Sequence, residues 1–227
     1  MTSSTWSLEG ELCKLANEPD PRNALVRLGL IGVGIGGYQL DEIQPWVRSG
    51  NETYSYVFAV RAPGTPDRIC RFKACVAPPG PHGLDKILGR WLRRRDLLSK
   101  MGVSTPTLYG AGQGVLLEEE IPFDIPTAVR HRETDAVLNG LIDIASALAT
   151  LGFSPVSPFS DVRSRGNDAV FVDFGSDLGE PSVAPKGSNA IFNQLLEQLN
   201  RWNVELCAND FQHLESAYKD RLNSSIQ

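Results

Sequence analysis

Two β-rich runs joined by a short turn constrain the fold of this chain more than any other feature of its sequence. Residues Tyr54–Arg61 and 68–76 are rich in Val, Tyr, Phe and Ile, and the segment between them reads Ala-Pro-Gly-Thr-Pro-Asp. Proline, glycine and aspartate are typical turn residues, and β-branched and aromatic residues favour strands. The sequence therefore predicts an antiparallel hairpin.

After this hairpin the pattern changes from strand to helix. Short strands are predicted at 107–110 and 114–119, and a fully apolar strand at 169–174. Apolar residues at helical spacing predict helices over 84–101, 135–151, 189–207 and 210–222. A β-rich half followed by a helical half indicates an α+β fold of two unlike lobes with a cleft between them.

The predicted domain boundaries follow this change of pattern. We expect an N-terminal extension at 1–45, a β-rich lobe at 46–120 and a helical lobe at 121–227.

Charge and hydropathy exclude two classes of partner. The formal net charge of −5 is opposite in sign to what a protein that coats nucleic acid requires. The longest apolar stretch, 24–40, contains Arg27 and is too short to span a bilayer, so no membrane partner is expected.

No two of the four cysteines form a Cys-x-x-Cys pair, which favours reduced, buried thiols in a cytosolic protein: Cys13, Cys70, Cys75 and Cys207.

A glycine cluster at 32–37 contains a literal G-x-G-x-x-G after an apolar run. In a dinucleotide-binding fold this motif opens a helix and is followed by a second strand–helix unit. Here Pro45 interrupts the expected helix and a hairpin follows. We therefore interpret the cluster as a linker or a place of close packing.

The segment Asp173-Phe-Gly175 is a candidate cation site. Asp173 leaves an apolar strand and enters a glycine turn, a position from which a carboxylate can hold a divalent cation. The alternative is an aspartate that only caps the turn.

Two further segments extend this reading. Lys73 lies in the middle of a strand that is preceded by another strand and followed by a helix, a setting in which a lysine can bind nucleotide phosphates. The alternative is a solvated residue on an edge strand. The acids Glu118–Glu120 follow an apolar strand and precede Pro122, as in a hinge between lobes, or else they are the solvated end of a hairpin.

Taken in order, these features resemble the protein-kinase-like fold over roughly residues 46–180. Tyr56–Val60 is similar to the second strand of that fold, Lys73 to the lysine of the third strand, and 84–101 to the helix of the small lobe. The run Val170–Gly179 is similar to the HopBF family of type III effectors. Those are minimal kinases that bacterial pathogens deliver into host cells, where they phosphorylate a heat-shock chaperone of the ninety-kilodalton class.

The resemblance implies an ATP-dependent protein Ser/Thr kinase that uses Mg²⁺. Lys73 would hold the α- and β-phosphates, and Asp161 would orient the acceptor hydroxyl. Asp173 and Asn167 would be the metal ligands. Gly50 would belong to a shortened phosphate-covering loop.

The resemblance also implies the adenine site, the partner and the location. The backbone around Glu118, Glu119 and Glu120 would hold adenine. The partner would be a protein substrate such as a host heat-shock chaperone, and the protein would be cytoplasmic or secreted by a bacterium into the host cytosol.

The sequence departs from the family at three positions, and two alternatives follow. Asp161 lacks the preceding His-Arg, Arg71 replaces a small residue two before the lysine, and the helix over 84–101 offers no glutamate for Lys73. One alternative is a small-molecule kinase, because 102–106 resembles a turn of antibiotic and sugar kinases. The other is a catalytically silent pseudokinase that binds a partner.

The helix over 84–101 also carries a basic side. Four cations fall on it, and we interpret this side as a solvated face rather than a docking site for an acidic partner: Lys86, Arg90, Arg93 and Arg94.

Overall fold

The computed structural model describes residues 34–35, 38–44, 54–61, 69–76, 84–112, 115–121, 123–125, 134–175, 178–181 and 188–224. In these residues the chain is a mixture of helix and antiparallel strand. The chain divides into two compact units, one of residues 1–90 and 107–120 and the other of residues 91–106 and 121–227. The chain therefore passes between the units three times, after Arg90, after Pro106 and after Glu120.

The first unit contains a six-stranded antiparallel sheet. Its strands are β1 (Gly34–Ile35), β2 (Tyr38–Gln44), β3 (Tyr54–Arg61), β4 (Ile69–Val76), β5 (Leu108–Gly112) and β6 (Val115–Glu119). Their order across the sheet is β1-β2-β3-β4-β6-β5. The predicted hairpins are therefore confirmed as β3–β4 and β5–β6, and β4 is an interior strand rather than an edge.

Gly34 and Ile35 of the glycine cluster belong to this sheet. Gly34 and Ile35 pair with Gln39 and Tyr38, so the chain turns back on itself and continues as strand β2. Because a strand and not a helix follows the glycines, a dinucleotide-binding turn is excluded here. β2 in turn pairs with β3, so the end of the expected N-terminal extension is part of the sheet.

Helix α1 (Leu84–Lys100) begins in the first unit and ends in the second. Trp91 and Leu98 are buried, as their spacing predicts. Gly102 ends the helix with a φ of +83°, a backbone conformation that glycine adopts without strain. The amides of Gly102 and Val103 donate to the carbonyls of Ser99 and Leu98, which caps the helix in a Schellman motif.

Among its described residues, the second unit also contains three complete helices and a small sheet. The helices are α2 (Thr134–Thr150), α3 (Ser188–Arg201) and α4 (Ala208–Ser224). The sheet is antiparallel, in the order β7-β8-β9, with strands β7 (Phe123–Asp124), β8 (Val162–Arg165) and β9 (Asp168–Phe171). The α+β class is therefore confirmed at the level of mixed helix and strand.

Strand β8 was not predicted from the sequence. No strand is predicted between the two assigned site residues Asp161 and Asn167, whereas Val162–Arg165 pairs with Asp168–Phe171 as a hairpin. Its two-residue turn is Gly166-Asn167, and Gly166 has a φ of +56°. Such a Gly-Asn pair between two short strands is a hairpin signal, so the sequence did contain the necessary information.

Helix α2 is the centre of the second unit's core. Four apolar residues at helical spacing are buried on it as predicted: Val137, Leu141, Ala145 and Leu148.

Helix α4 packs Tyr218 onto Phe192 of α3, with ring centroids 4.9 Å apart. Burial raises the pKa of Tyr218 to about 12.

Gly140 lets α2 approach the strand that leads to Asp173. A Cβ atom at position 140 would lie 2.9 Å from the Cβ of Ala169 and 3.2 Å from its backbone nitrogen. We expect Gly140→Ala to lower the free energy of unfolding by about 1–3 kcal/mol, because strand and helix must separate. Gly89→Ala is the matched control, since nothing lies within 4 Å of a Cβ there.

The control substitution should stabilise the chain by about 0.5–1 kcal/mol through helix propensity. Thermal unfolding of both variants against the native chain measures the difference. Equal stabilisation by the two substitutions would show that the α2–β9 contact does not need a glycine.

Cys207 corrects the expectation of buried thiols. It is a free cysteine, as expected, but it is exposed. It precedes α4, and its amide donates to the carboxylate of Asp210 at 2.8 Å. Hydrogen bonds from the thiol and the amide of Cys207 lower the pKa of Asp210.

No helix in the described part of the chain is both long enough and apolar enough to cross a membrane.

Candidate active site

Asp161 and Asp173 lie at the same end of the β8–β9 hairpin. Asp161 ends a short 3₁₀ helix, Pro158–Asp161, and immediately precedes β8. Its carbonyl accepts a hydrogen bond of 2.9 Å from the amide of Val172, the residue before Asp173. Two carboxylate-bearing residues thus enter and leave the hairpin side by side.

The two aspartates differ in burial. Asp161 is buried, with 6% of its surface exposed, whereas Asp173 is half-buried. The Asp161 carboxylate is held in a fixed environment, and part of Asp173 faces solvent. This pair supplies hard oxygen donors, the type that Mg²⁺ prefers.

The Asp173 carboxylate also caps its own turn. Its Oδ1 accepts a hydrogen bond of 2.8 Å from the amide of Gly175. The turn-capping role considered in the sequence analysis is therefore real. This hydrogen bond leaves other acceptor sites on the Asp173 carboxylate, because an ionised carboxylate has about four lone-pair sites.

The side chain of Phe174 packs into the core and holds the Asp173 turn in place. It is fully buried and makes edge-to-face contacts with Trp91 and Phe171, with ring centroids 5.7 and 5.5 Å apart. Such aromatic contacts add to the burial free energy of the rings. The backbone on either side of Phe174 is therefore fixed relative to α1 and β9.

The side chain of Arg94, on α1, donates hydrogen bonds to backbone carbonyls of the same turn. Its Nη1 donates to the carbonyl of Phe174 at 3.2 Å and to the carbonyl of Gly175. Its Nη2 donates to Oε1 of Glu180 at 3.0 Å. Arg94 is only 2% exposed, so the interpretation of this residue as part of a solvated basic face is wrong.

The residues after α1 support the hairpin from the other side. The carbonyl of Ser104 accepts a bond of 3.0 Å from the amide of Phe171 in β9, and Thr105 accepts one of 3.2 Å from Arg165 in β8. The turn at Gly102 directs this segment along the hairpin. Both ends of the segment that carries Asp173 are thus held by residues of 91–106.

Lys73 occupies an interior position of the first unit's sheet. It lies in β4 directly opposite Val57 of β3 and Glu118 of β6. Directly opposite residues share one face of a sheet. Lys73 and Glu118 therefore lie on one face, and Glu118 is fully buried.

Glu118 and Glu119 belong to strand β6, and the chain passes from the first unit to the second directly after Glu120. Their backbones pair with β4, and the amide of Glu119 donates to the carbonyl of Thr107 at 2.8 Å. The Glu119 carboxylate accepts bonds from the amide and hydroxyl of Thr107 at 3.0 and 2.8 Å. Of the three residues expected around adenine, only Glu120 lies beyond the strand.

Asn167 does not lie near the two aspartates. It is exposed in the turn at the far end of the hairpin, three residue pairs from the pair Val162–Phe171. Asn167 lies beyond the pair Arg165–Asp168, so at about 3.3 Å per residue its backbone is more than roughly 10 Å from that of Asp161 and Asp173. Ligands of one Mg²⁺ lie within about 2.1 Å of it, so this separation does not favour the prediction that Asn167 and Asp173 share a cation.

Gly50, predicted to cover the phosphates, lies outside the described residues. Within those residues, no group of three or more His, Cys, Asp or Glu side chains is arranged to hold a metal ion.

Sequence reasoning missed Arg94, although a signal was present. Positions 91, 94 and 98 follow the i, i+3, i+7 spacing of one helix stripe, and Trp91 and Leu98 are apolar. An arginine between them on that stripe is expected to be buried. Grouping Arg94 with the other cations by charge concealed its position on this apolar stripe.

No protein-family model and no curated protein matches this chain.

Proposed function

We propose that this protein is an ATP-dependent phosphotransferase that acts on a protein serine or threonine. The observation that carries the proposal is the pairing of Asp161 and Asp173 at one end of the β8–β9 hairpin, with the Asp173 turn held by Phe174 and Arg94. Phosphoryl transfer needs little covalent chemistry from a protein. It needs positioned oxygen ligands and cations for the phosphates.

The proposal gives each acidic residue one role. Asp173 is the protein ligand of Mg²⁺, the other positions being filled by phosphate oxygens and water, as is usual for this ion. Bound Mg²⁺ neutralises charge on the phosphate oxygens. Asp161 accepts a hydrogen bond from the acceptor hydroxyl and aligns it for attack. Asn167 has no part in it.

Lys73 is assigned to the α- and β-phosphates. Strand β3, the lysine strand β4 and helix α1 follow one another as the resemblance to kinase-like proteins implies. The buried Glu118 directly opposite Lys73 supports this role.

The acceptor and the location of the reaction follow from the resemblance to the HopBF effectors alone. We propose a host heat-shock chaperone as the substrate and delivery of the protein by a bacterium into the host cytosol.

Labelled ATP with Mg²⁺ tests the proposed function. The full chain is incubated alone, with purified chaperone and with host lysate, beside Asp173→Asn. Label on a protein band that depends on Asp173 supports the proposal. Label only on small molecules would instead support a small-molecule kinase, and no label at all would support a partner-binding pseudokinase.

The pseudokinase alternative rests on one observation. Oδ1 of Asp173 already accepts the Gly175 amide, so the residue has a structural role that does not require a cation. Calorimetric titration with MgATP distinguishes a nucleotide-binding pseudokinase from one that binds no nucleotide.

Asp161→Asn tests the acceptor role. The substitution preserves size but removes the charge, so we expect turnover to fall by about 10²–10⁴-fold while ATP affinity changes little. Turnover is measured with labelled ATP, and ATP affinity by calorimetry. Asn167→Ala, at the other end of the hairpin, is the control and should leave both quantities unchanged.

If ATP affinity falls together with turnover in Asp161→Asn, the residue is a cation ligand or a structural cap. If Asn167→Ala inactivates the protein, the placement of the site at the Asp161 end is wrong.

A further inference from the structure

The peptide group between Phe174 and Gly175 connects Arg94 to Asp173. Its carbonyl, on Phe174, accepts a hydrogen bond from Nη1 of Arg94 at 3.2 Å. Its amide, on Gly175, donates to Oδ1 of Asp173 at 2.8 Å. Since a peptide group is planar, and the C=O and N–H of a trans peptide point in opposite directions, fixing the carbonyl also fixes the direction of the amide.

The hydrogen bonds also act on one another electrostatically. A guanidinium that binds the carbonyl polarises the peptide and strengthens the donor at its other end. The order along this chain of bonds is guanidinium, peptide, carboxylate. Arg94 is thus in a position to determine both the orientation of the Asp173 carboxylate and the strength of the bond that holds it.

The burial of Arg94 is not explained by stability alone. A buried guanidinium is costly unless its partners compensate, and an apolar residue in its place is often neutral or stabilising. Its one acidic partner among the described residues, Glu180, has a side chain that is 58% exposed, so the solvent weakens that ion pair. Nε of Arg94 is buried without a hydrogen-bond partner among the described residues.

Arg94 lies on the same stripe of α1 as Trp91 and Leu98, where a leucine or methionine would pack. The presence of a charged residue here is therefore explained by the groups that its donors bind, which are backbone carbonyls of the Asp173 turn.

We propose that Arg94 is a positioning residue that orients the Asp173 carboxylate for cation binding through the Phe174–Gly175 peptide. This inference rests on the proposed function, because it takes Asp173 to be the cation ligand. Arg94 itself contacts neither cation nor substrate in this role. Its loss changes the affinity for the cation through the geometry of Asp173.

Manganese binding tests this role without relying on catalysis. Mn²⁺ is titrated into the full chain at a fixed ATP concentration, and free Mn²⁺ is measured by its electron paramagnetic resonance signal. We expect Arg94→Met to weaken Mn²⁺ binding by about 10–100-fold, the usual effect of removing a group that orients a metal ligand.

Arg93→Ala is the matched control. Arg93 is the neighbouring residue, its side chain is 61% exposed, and it reaches the same Glu180 at 3.4 Å. It donates to no carbonyl of the Asp173 turn that the structure records. Arg93→Ala and Glu180→Gln should therefore leave Mn²⁺ affinity within about twofold of the native value.

A second variant covers the case in which Arg94→Met does not fold, as judged by circular dichroism. Arg94→Lys keeps a buried cation but loses the planar fork, and it should also weaken Mn²⁺ binding, by a smaller factor. Native Mn²⁺ affinity in a folded Arg94→Met or Arg94→Lys variant overturns the proposal.

Asp173→Asn in the same titration separates this inference from the proposed function. If Asp173→Asn weakens Mn²⁺ binding and the Arg94 variants do not, only the positioning role is overturned. If Asp173→Asn also binds Mn²⁺ normally, the cation site is elsewhere and both proposals are overturned.

Discussion

Asp173→Asn should lower phosphoryl transfer by on the order of a thousandfold or more while the fold survives. The asparagine side chain keeps the size of the aspartate, and its carbonyl oxygen can still accept the Gly175 amide that Oδ1 now accepts at 2.8 Å. What it lacks is the negative charge that holds Mg²⁺. The measurement is the initial rate of label transfer from ATP, with circular dichroism as the check on folding.

Asp168→Asn is the matched control for this experiment. Asp168 is an exposed acid at the first position of β9, at the opposite end of the hairpin from Asp173. Its neutralisation changes the net charge by the same amount but should leave the rate unchanged. Normal turnover in Asp173→Asn would contradict the assignment of the cation to this residue.

Lys73→Ala should reduce transfer by a similar factor, on the order of a thousandfold, because it removes a cation from the transferring phosphates. Lys73→Arg should not restore the rate. A planar guanidinium presents its donors in a different geometry from a compact ammonium, and it is larger. Rates with labelled ATP and nucleotide affinities by calorimetry measure the effect.

The control for Lys73 is Arg71→Ala. The two residues are two positions apart on β4 and therefore lie on the same face of the strand. Both variants remove one positive charge from the same strand. Full activity in Lys73→Ala with loss of activity in Arg71→Ala would transfer the phosphate-binding role to Arg71.

Local sequence pattern was sufficient where one element determines its own structure. The hairpin β3–β4 follows from β-rich runs around a Pro-Gly turn, and α2 follows from apolar residues at helical spacing, most of which are buried in the structure. Strand β8 was missed because Asp161 was interpreted through the kinase motif. The assumed loop concealed the Gly166-Asn167 turn signal.

The candidate site was only partly predictable because its support comes from residues distant in sequence. Asp161 and Asp173 were proposed from the chain alone, and the hairpin brings their backbones together. The bond from Arg94 to Phe174 joins residues 80 positions apart. No local pattern indicates that pairing, although the helix stripe of Trp91 and Leu98 indicates that Arg94 is buried.

The placement of Glu118 and Glu119 in strand β6 was not predictable for a similar reason. Three consecutive acids look like a solvated or hinge segment. Pairing of β6 with strands on both sides places the first two in the sheet, with Glu118 fully buried. Sheet order depends on the whole unit, so the sequence of one strand does not determine which of its residues lie in the interior of the sheet.

The close approach of Gly140 to Ala169 has a consequence for how variation at the two positions combines. Together they must fit a space in which one extra methyl group lies 2.9 Å from its neighbour. Substitutions at the two positions should therefore be epistatic. In a combinatorial library selected for folded chains, alanine at 140 should be recovered mainly in combination with glycine at 169, even though each of these changes alone is unfavourable.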